Sequence, residues 1–190
     1  MENINPLWFI IGGVVILVFI LAGMYNKLVR FKNNRENAFA DIDVQLKQRH
    51  DLIPQLVATV KGYASHEEGV LTAVTQARQK AVMANTVNDK IAAEVALTSA
   101  VSGFNMQMEA YPDLKANQNF MQLQNEMSDI ENKLASVRRY FNSATKELNN
   151  GVQRFPANII AGMFGFKQQP YFDLGVAQRE VLDKAPEVKF

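Results

Sequence analysis

From Leu7 to Tyr25 the chain carries an unbroken apolar run, LWFIIGGVVILVFILAGMY, without a charged side chain. At ~1.5 Å per residue in a helix the run reaches about 28 Å, close to the hydrocarbon thickness of a bilayer. Lys27, Arg30, Lys32 and Arg35 follow at once, whereas residues 1–6, MENINP, contain no Lys or Arg. Trp8 and Tyr25 bracket the run as interfacial aromatics do. A cleaved secretory signal needs a positive n-region, a shorter apolar core and a small-x-small cleavage site. The run therefore reads as a retained single span in a membrane, with the lipid bilayer as partner of residues 7–25. The positive-inside rule places the N-terminus outside and residues 27–190 in the cytoplasm. The alternative is a periplasmic or otherwise extracytoplasmic domain. Leu21-Ala22-Gly23-Met24 matches the first three positions of a lipoprotein cleavage box, although Met24 stands where a lipidated Cys thiol is needed.

Beyond the anchor about 165 residues remain, enough for one modest domain with a core of its own. The chain has no Cys, which excludes a disulfide framework, a thiol nucleophile and thiolate zinc sites, and leaves the compartment open. Its 20 basic and 19 acidic side chains leave a net charge of +1 and no basic stripe interleaved with aromatics, so no nucleic-acid partner is expected.

Apolar or small residues at Leu28, Phe31, Ala38, Ile42, Leu46, Ile53, Val57, Val60 and Ala64 recur mostly at three- and four-residue steps, which is helix periodicity. No Gly or Pro lies between Met24 and Ile53, so the anchor runs straight into this helix. Pro54 lacks a backbone donor and crowds the preceding turn, predicting a kink near His50 to Ile53. Ser65-His66-Glu67-Glu68 reads as a capping box that opens a second helix through Val70, Leu71, Val74, Ala77, Ala81 and Val82 to about Ala84. Asn85-Thr86-Val87-Asn88-Asp89 supplies turn and N-cap residues for a third helix, ending at Pro112. After Asn117, the residues Phe120, Met127, Ile130, Leu134, Val137, Phe141, Ala144, Leu148 and Val152 trace a heptad seam about 33 residues long. The seam reads either as intramolecular core or as coiled coil shared between subunits, because a heptad does not say whose helix fills it.

Asn150-Gly151 loosens the helix and Pro156 follows Phe155, so regular structure ends near Arg154. The tail that follows carries Ile159, Ile160, Met163, Phe164, Phe166, Tyr171 and Phe172. So apolar a segment folds back on the bundle, lies in the membrane interface or packs on another subunit. The fold class is thus all-α: a transmembrane helix continuing into an elongated antiparallel bundle of about four helices, with an irregular apolar C-terminal tail. The divisions are a short N-terminal segment at 1–6, the span at 7–25, the bundle at 26–155 and the tail at 156–190.

Four stretches together resemble the LemA family of bacterial membrane proteins. They are Tyr25-Asn26-Lys27-Leu28-Val29, DVQLKQRHDLIPQLVATVKGYASHE at 43–67, AYPDLKANQNFMQLQNEMSDIENKLASVRRYFNSA at 110–144, and RFPANIIAGMFGF with PYF at 154–172. The resemblance spans nearly the whole chain and implies a single N-terminal anchor with a long helical bundle. It implies no settled activity and no catalytic residues to carry over. Some family members have a Cys where this chain has Met24.

Little in the sequence invites chemistry. His50 beside Asp51, and His66 beside Glu67 and Glu68, are the places where a metal or proton-transfer site could start. Neighbours on a helix point about 100° apart and cannot chelate together. No zinc-protease helix, phosphate loop, nucleophile elbow or Ser/His/Asp set is present. Glu94, Glu109, Asp113, Glu126, Asp129 and Glu131 read as a solvated carboxylate face, with Asp129 and Lys133 as an ordinary surface pair. Arg138-Arg139-Tyr140 reads as a flank whose stems cover the seam. No catalytic, cofactor-binding or metal residue is expected, and the chain does not read as an enzyme. The function expected is a membrane-anchored, non-enzymatic scaffold that self-associates as a homo-oligomer or organises other membrane proteins. The alternative is a monomeric adaptor or regulator of a neighbouring membrane enzyme or protease.

Overall fold

The structure, a computed structural model, describes residues 6–64 and 67–172. Ser65 and His66 of the expected capping box, and residues 173–190 of the tail, lie outside the described residues. Six helices carry the described chain: α1 Pro6–Lys61, α2 Glu68–Met83, α3 Val87–Met108, α4 Pro112–Lys115, α5 Gln118–Gln153 and α6 Ala157–Met163. No strand occurs among the described residues, and the fold is all-α as the periodicity predicts.

The anchor and the first bundle helix are one element, α1. Every large apolar side chain from Leu7 to Leu21 is exposed. A core helix hides one face at least, so exposure all round suits a lipid environment. Pro54 does not end α1, which continues to Lys61. Without an N–H at Pro54 the His50 carbonyl has no partner inside the helix. Arg78 Nε of α2 donates to that carbonyl at 2.6 Å, so a side chain replaces the missing backbone donor.

The chain divides at Asp41/Ile42 and Ser136/Val137 into two compact units. The first holds residues 6–41 and 137–171, in which α1 and α5 run antiparallel. Phe39 meets Phe141 at 5.6 Å between ring centroids, Arg35 Nε donates to Thr145 Oγ1 at 3.1 Å, and Leu28 and Phe31 lie beside Gly151. Gly151 does not loosen α5; it admits a close approach. A Cβ there would stand 3.1 Å from both Leu28 Cδ2 and Phe31 Cδ2.

The tail folds back within this unit. Helical structure resumes in α6 rather than ending near Arg154, and Ile160 and Ala161 are buried against Leu28, with Met24, Val152 and Phe166 packed around them. Gly165, at φ 74°, closes α6 in the left-handed conformation, and Phe166 N–H returns to the Ala161 carbonyl at 2.9 Å. Asn149 then holds the extended chain as a neighbouring strand would: its Nδ2 donates to the Gln169 carbonyl at 2.9 Å and its Oδ1 accepts from Gln169 N–H at 2.8 Å. Arg35 Nη2 donates to the Pro170 carbonyl at 3.2 Å.

The second unit holds the described residues of 42–136 together with Phe172. Here α2 and α3 form a hairpin against α1 and α5 around one core that includes Ile53, Leu56, Val74, Leu97, Phe104 and Phe120. Thr86 caps α3 as the polar cluster at 85–89 predicts, accepting from Asp89 N–H at 3.1 Å. The third helix stops at Met108, earlier than the Pro112 boundary read from the sequence. Tyr111 takes φ −116° and ψ 87°, since the residue before a proline is kept out of the helical region, and Pro112 opens the separate turn α4. Asn117 Oδ1 accepts from Phe120 N–H at 3.1 Å and caps α5.

Candidate functional site

Within the second unit the apolar stripe of α1 passes through Ile42, Leu46, Ile53, Leu56 and Val60, and the turn between Leu46 and Ile53 is filled by Arg49 and His50. The stripe of α3 runs back through Met108, Phe104, Val101 and Leu97 to Glu94. Charged residues thus occupy core positions on two facing helices. Arg49 has no exposed surface, and Glu94 retains 1%.

The geometry is that of mutual satisfaction. Arg49 Nη1 donates to Glu94 Oε2 at 2.8 Å, while Nη2 reaches Glu131 Oε1 on α5 at 2.7 Å and Thr98 Oγ1 at 3.1 Å. His50 Nε2 lies 2.6 Å from Glu94 Oε1. Arg49 Nε is a fully buried atom of the group without a hydrogen-bond partner. Burying such charges costs several kcal/mol per ion, and only close multiple bonding compensates. The arrangement joins α1, α3 and α5 through one guanidinium.

Sequence reasoning placed Glu94 on a solvated carboxylate face, and the structure corrects this: Glu94 is buried because Arg49 and His50 stand opposite it. Glu109, Asp113 and Asp129 are exposed as expected, and Glu126 and Glu131 are half-buried. Arg49, taken alone, resembles a surface residue in the sequence. The signal available was the seven-residue gap in the α1 stripe between Leu46 and Ile53, a full turn in which polar residues had to face the core.

Several other polar contacts are peripheral. Lys47 Nζ donates to exposed Asp51 at 2.8 Å and holds that carboxyl below its usual range. Tyr111 Oη donates to Glu67 at 3.0 Å, an acceptor that raises the pKa of the phenol. Tyr140 Oη donates to Asn34 Oδ1 at 3.1 Å. Beside the charge cluster opens a groove of about 580 Å³, with Arg49 and Glu131 at its inner wall and Ser102, Asn105, Asn125 and Asn132 among its polar lining. No group of three or more metal-ligating side chains occurs among the described residues. At Glu94 a cation would compete with a guanidinium for the same carboxylate.

The LemA family pattern matches residues 38–190. The chain belongs to the LemA family. Among proteins similar to this LemA-family chain is Protein LemA of Metamycoplasma hominis, 27% identical over 178 residues, with 92% of this chain and 80% of that protein covered. Magnetosome protein MamQ of Magnetospirillum gryphiswaldense is 22% identical over 186 residues, covering 84% of this chain and 68% of that protein. Magnetosome protein MamQ 2 of Paramagnetospirillum magneticum is 21% identical with the same coverage. The family match begins within α1 beyond the span and includes Arg49, Glu94 and Glu131. With one exposed helix among the described residues long and apolar enough to cross a membrane, this LemA-family chain is a membrane-associated helical protein.

Proposed function

We propose that this LemA-family chain is a membrane-anchored, non-enzymatic helical scaffold that self-associates at the bilayer and organises other membrane proteins. The observation that supports it is the use made of the interior. The buried polar side chains Arg49, His50, Glu94, Thr145 and Asn149 are all bonded to another part of the same chain. An active site keeps convergent polar groups available to a substrate, whereas here they tie helices together. The α5 residues Phe120, Leu134 and Phe141 are likewise buried within the chain, so self-association falls to the outer faces and the span. The basic cluster Lys27, Arg30, Lys32 and Arg35 supports a cytoplasmic bundle. A membrane-impermeant maleimide applied to intact cells should leave Gln122→Cys unlabelled; labelling would place the bundle outside.

Energy transfer between donor- and acceptor-labelled full-length protein, reconstituted in vesicles at low protein density, tests self-association. Transfer that survives dilution with lipid supports the scaffold. Transfer that vanishes on dilution favours the second reading, a monomeric adaptor or regulator of a membrane enzyme or protease. The polar groove beside Arg49 and Glu131 favours that reading, because a partner's extended segment would find hydrogen-bonding amides and hydroxyls along it.

A further inference from the structure

Helix α6 has two apolar faces, and only one is covered. Ile160 and Ala161 pack on Leu28. Facing the other way, Ile159 is 53% exposed and Met163 73%, with Phe155 at 80% before the helix and Phe164 at 58% after it. Ile159 and Met163 are four residues apart and share one helix face. Large apolar groups gathered in this way mark a surface that something other than water covers.

The level of α6 along α1 indicates what covers it. It packs on Met24 and Leu28, and the Phe164 ring lies 4.7 Å from the ring of Tyr25, the last residue of the apolar run. The headgroup region adds roughly 5–8 Å on each side of the hydrocarbon core, which at ~1.5 Å per residue is about three to five residues of α1. If the hydrocarbon ends at Tyr25, that layer extends along α1 to about Arg30. Helix α6 is fixed at that level by its own packing. Charge agrees with position: residues 24–30 and 154–167 contain Lys27, Arg30, Arg154 and Lys167 and not one Asp or Glu. Such a collar suits the phosphates of an anionic leaflet.

We propose that α6 is an interfacial membrane helix, with Phe155, Ile159, Met163 and Phe164 inserted among the lipids at the foot of the span and the basic collar on their headgroups. The assignment rests on the reading of residues 7–25 as a span, and its test separates the two. Trp8 is the only tryptophan of the chain, so the native protein reports the span, and the double variant Trp8→Phe/Met163→Trp reports α6. Both full-length proteins are reconstituted in phosphatidylcholine–phosphatidylglycerol vesicles whose acyl chains carry bromine near the glycerol or near the methyl end. Tryptophan at 163 should lose about half its emission to the shallow bromines, less to the deep ones, and little to aqueous iodide. Quenching by iodide and not by bromine, with Trp8 still quenched by lipid, would overturn the α6 assignment and leave the span standing. Protection from both quenchers would overturn it as well, placing a protein surface over α6. A Trp8 that no brominated lipid reaches would remove the span and this assignment with it.

Discussion

Arg49 shows how one buried residue constrains three helices. Removing it leaves Glu94 buried without its cation, and Arg49→Ala should destabilise the second unit by about 3–5 kcal/mol. The paired replacement Arg49→Met/Glu94→Leu removes both charges and should recover most of that loss, with chemical denaturation as the readout. Arg78 and Pro54 form a second coupled pair. Arg78→Ala leaves the His50 carbonyl unbonded and should cost about 1–2 kcal/mol, while in a Pro54→Ala background, where a backbone N–H returns, the same change should cost little. A double-mutant cycle by thermal unfolding measures this directly. The sequence showed that Pro54 would disturb its helix, since that follows from covalent structure. It could not show that a residue of another helix answers the disturbance, which depends on tertiary placement.

Helices were legible where period and punctuation agree. Seven seam positions of α5, Phe120, Met127, Ile130, Leu134, Phe141, Ala144 and Leu148, are buried as the heptad predicts, Val137 only partly, and Thr86 caps α3 as the polar cluster at 85–89 predicts. The helix α6 is not legible in the sequence, because Asn150-Gly151 and Pro156 read as the end of regular structure. Its stability comes from burying Ile160 and Ala161 and from the Gly165 turn, and seven residues cannot display a period. Gly151 was read as a loosening element because Gly ordinarily weakens a helix, yet the space opposite it is occupied. Gly151→Ala gains ~1 kcal/mol in helix propensity and loses ~1–3 kcal/mol to crowding against Leu28 and Phe31, so it should lower the melting temperature. A Cβ at Gly103 in α3 meets nothing within 4 Å, and Gly103→Ala should stabilise the fold by about 0.5–1 kcal/mol and so raise the melting temperature. Opposite signs for the same substitution in two helices, followed by circular dichroism, would establish that packing decides.

For the molecule as a whole, the apolar run and the basic residues after it identify a membrane-associated chain, and the family match agrees with the helical bundle read from periodicity. The charged interior was invisible at this level because Glu94 and Arg49 are far apart in sequence and each, taken alone, resembles a surface residue. Self-association is a property of outer faces, whose composition here, Gln, Asn and mixed charge, carries no pattern that specifies a partner. The direct test is the mass of the full-length protein extracted in mild detergent, by light scattering with the detergent contribution subtracted. The scaffold account predicts a discrete assembly of several copies that persists on dilution. A single sharp monomer mass at every concentration would contradict it.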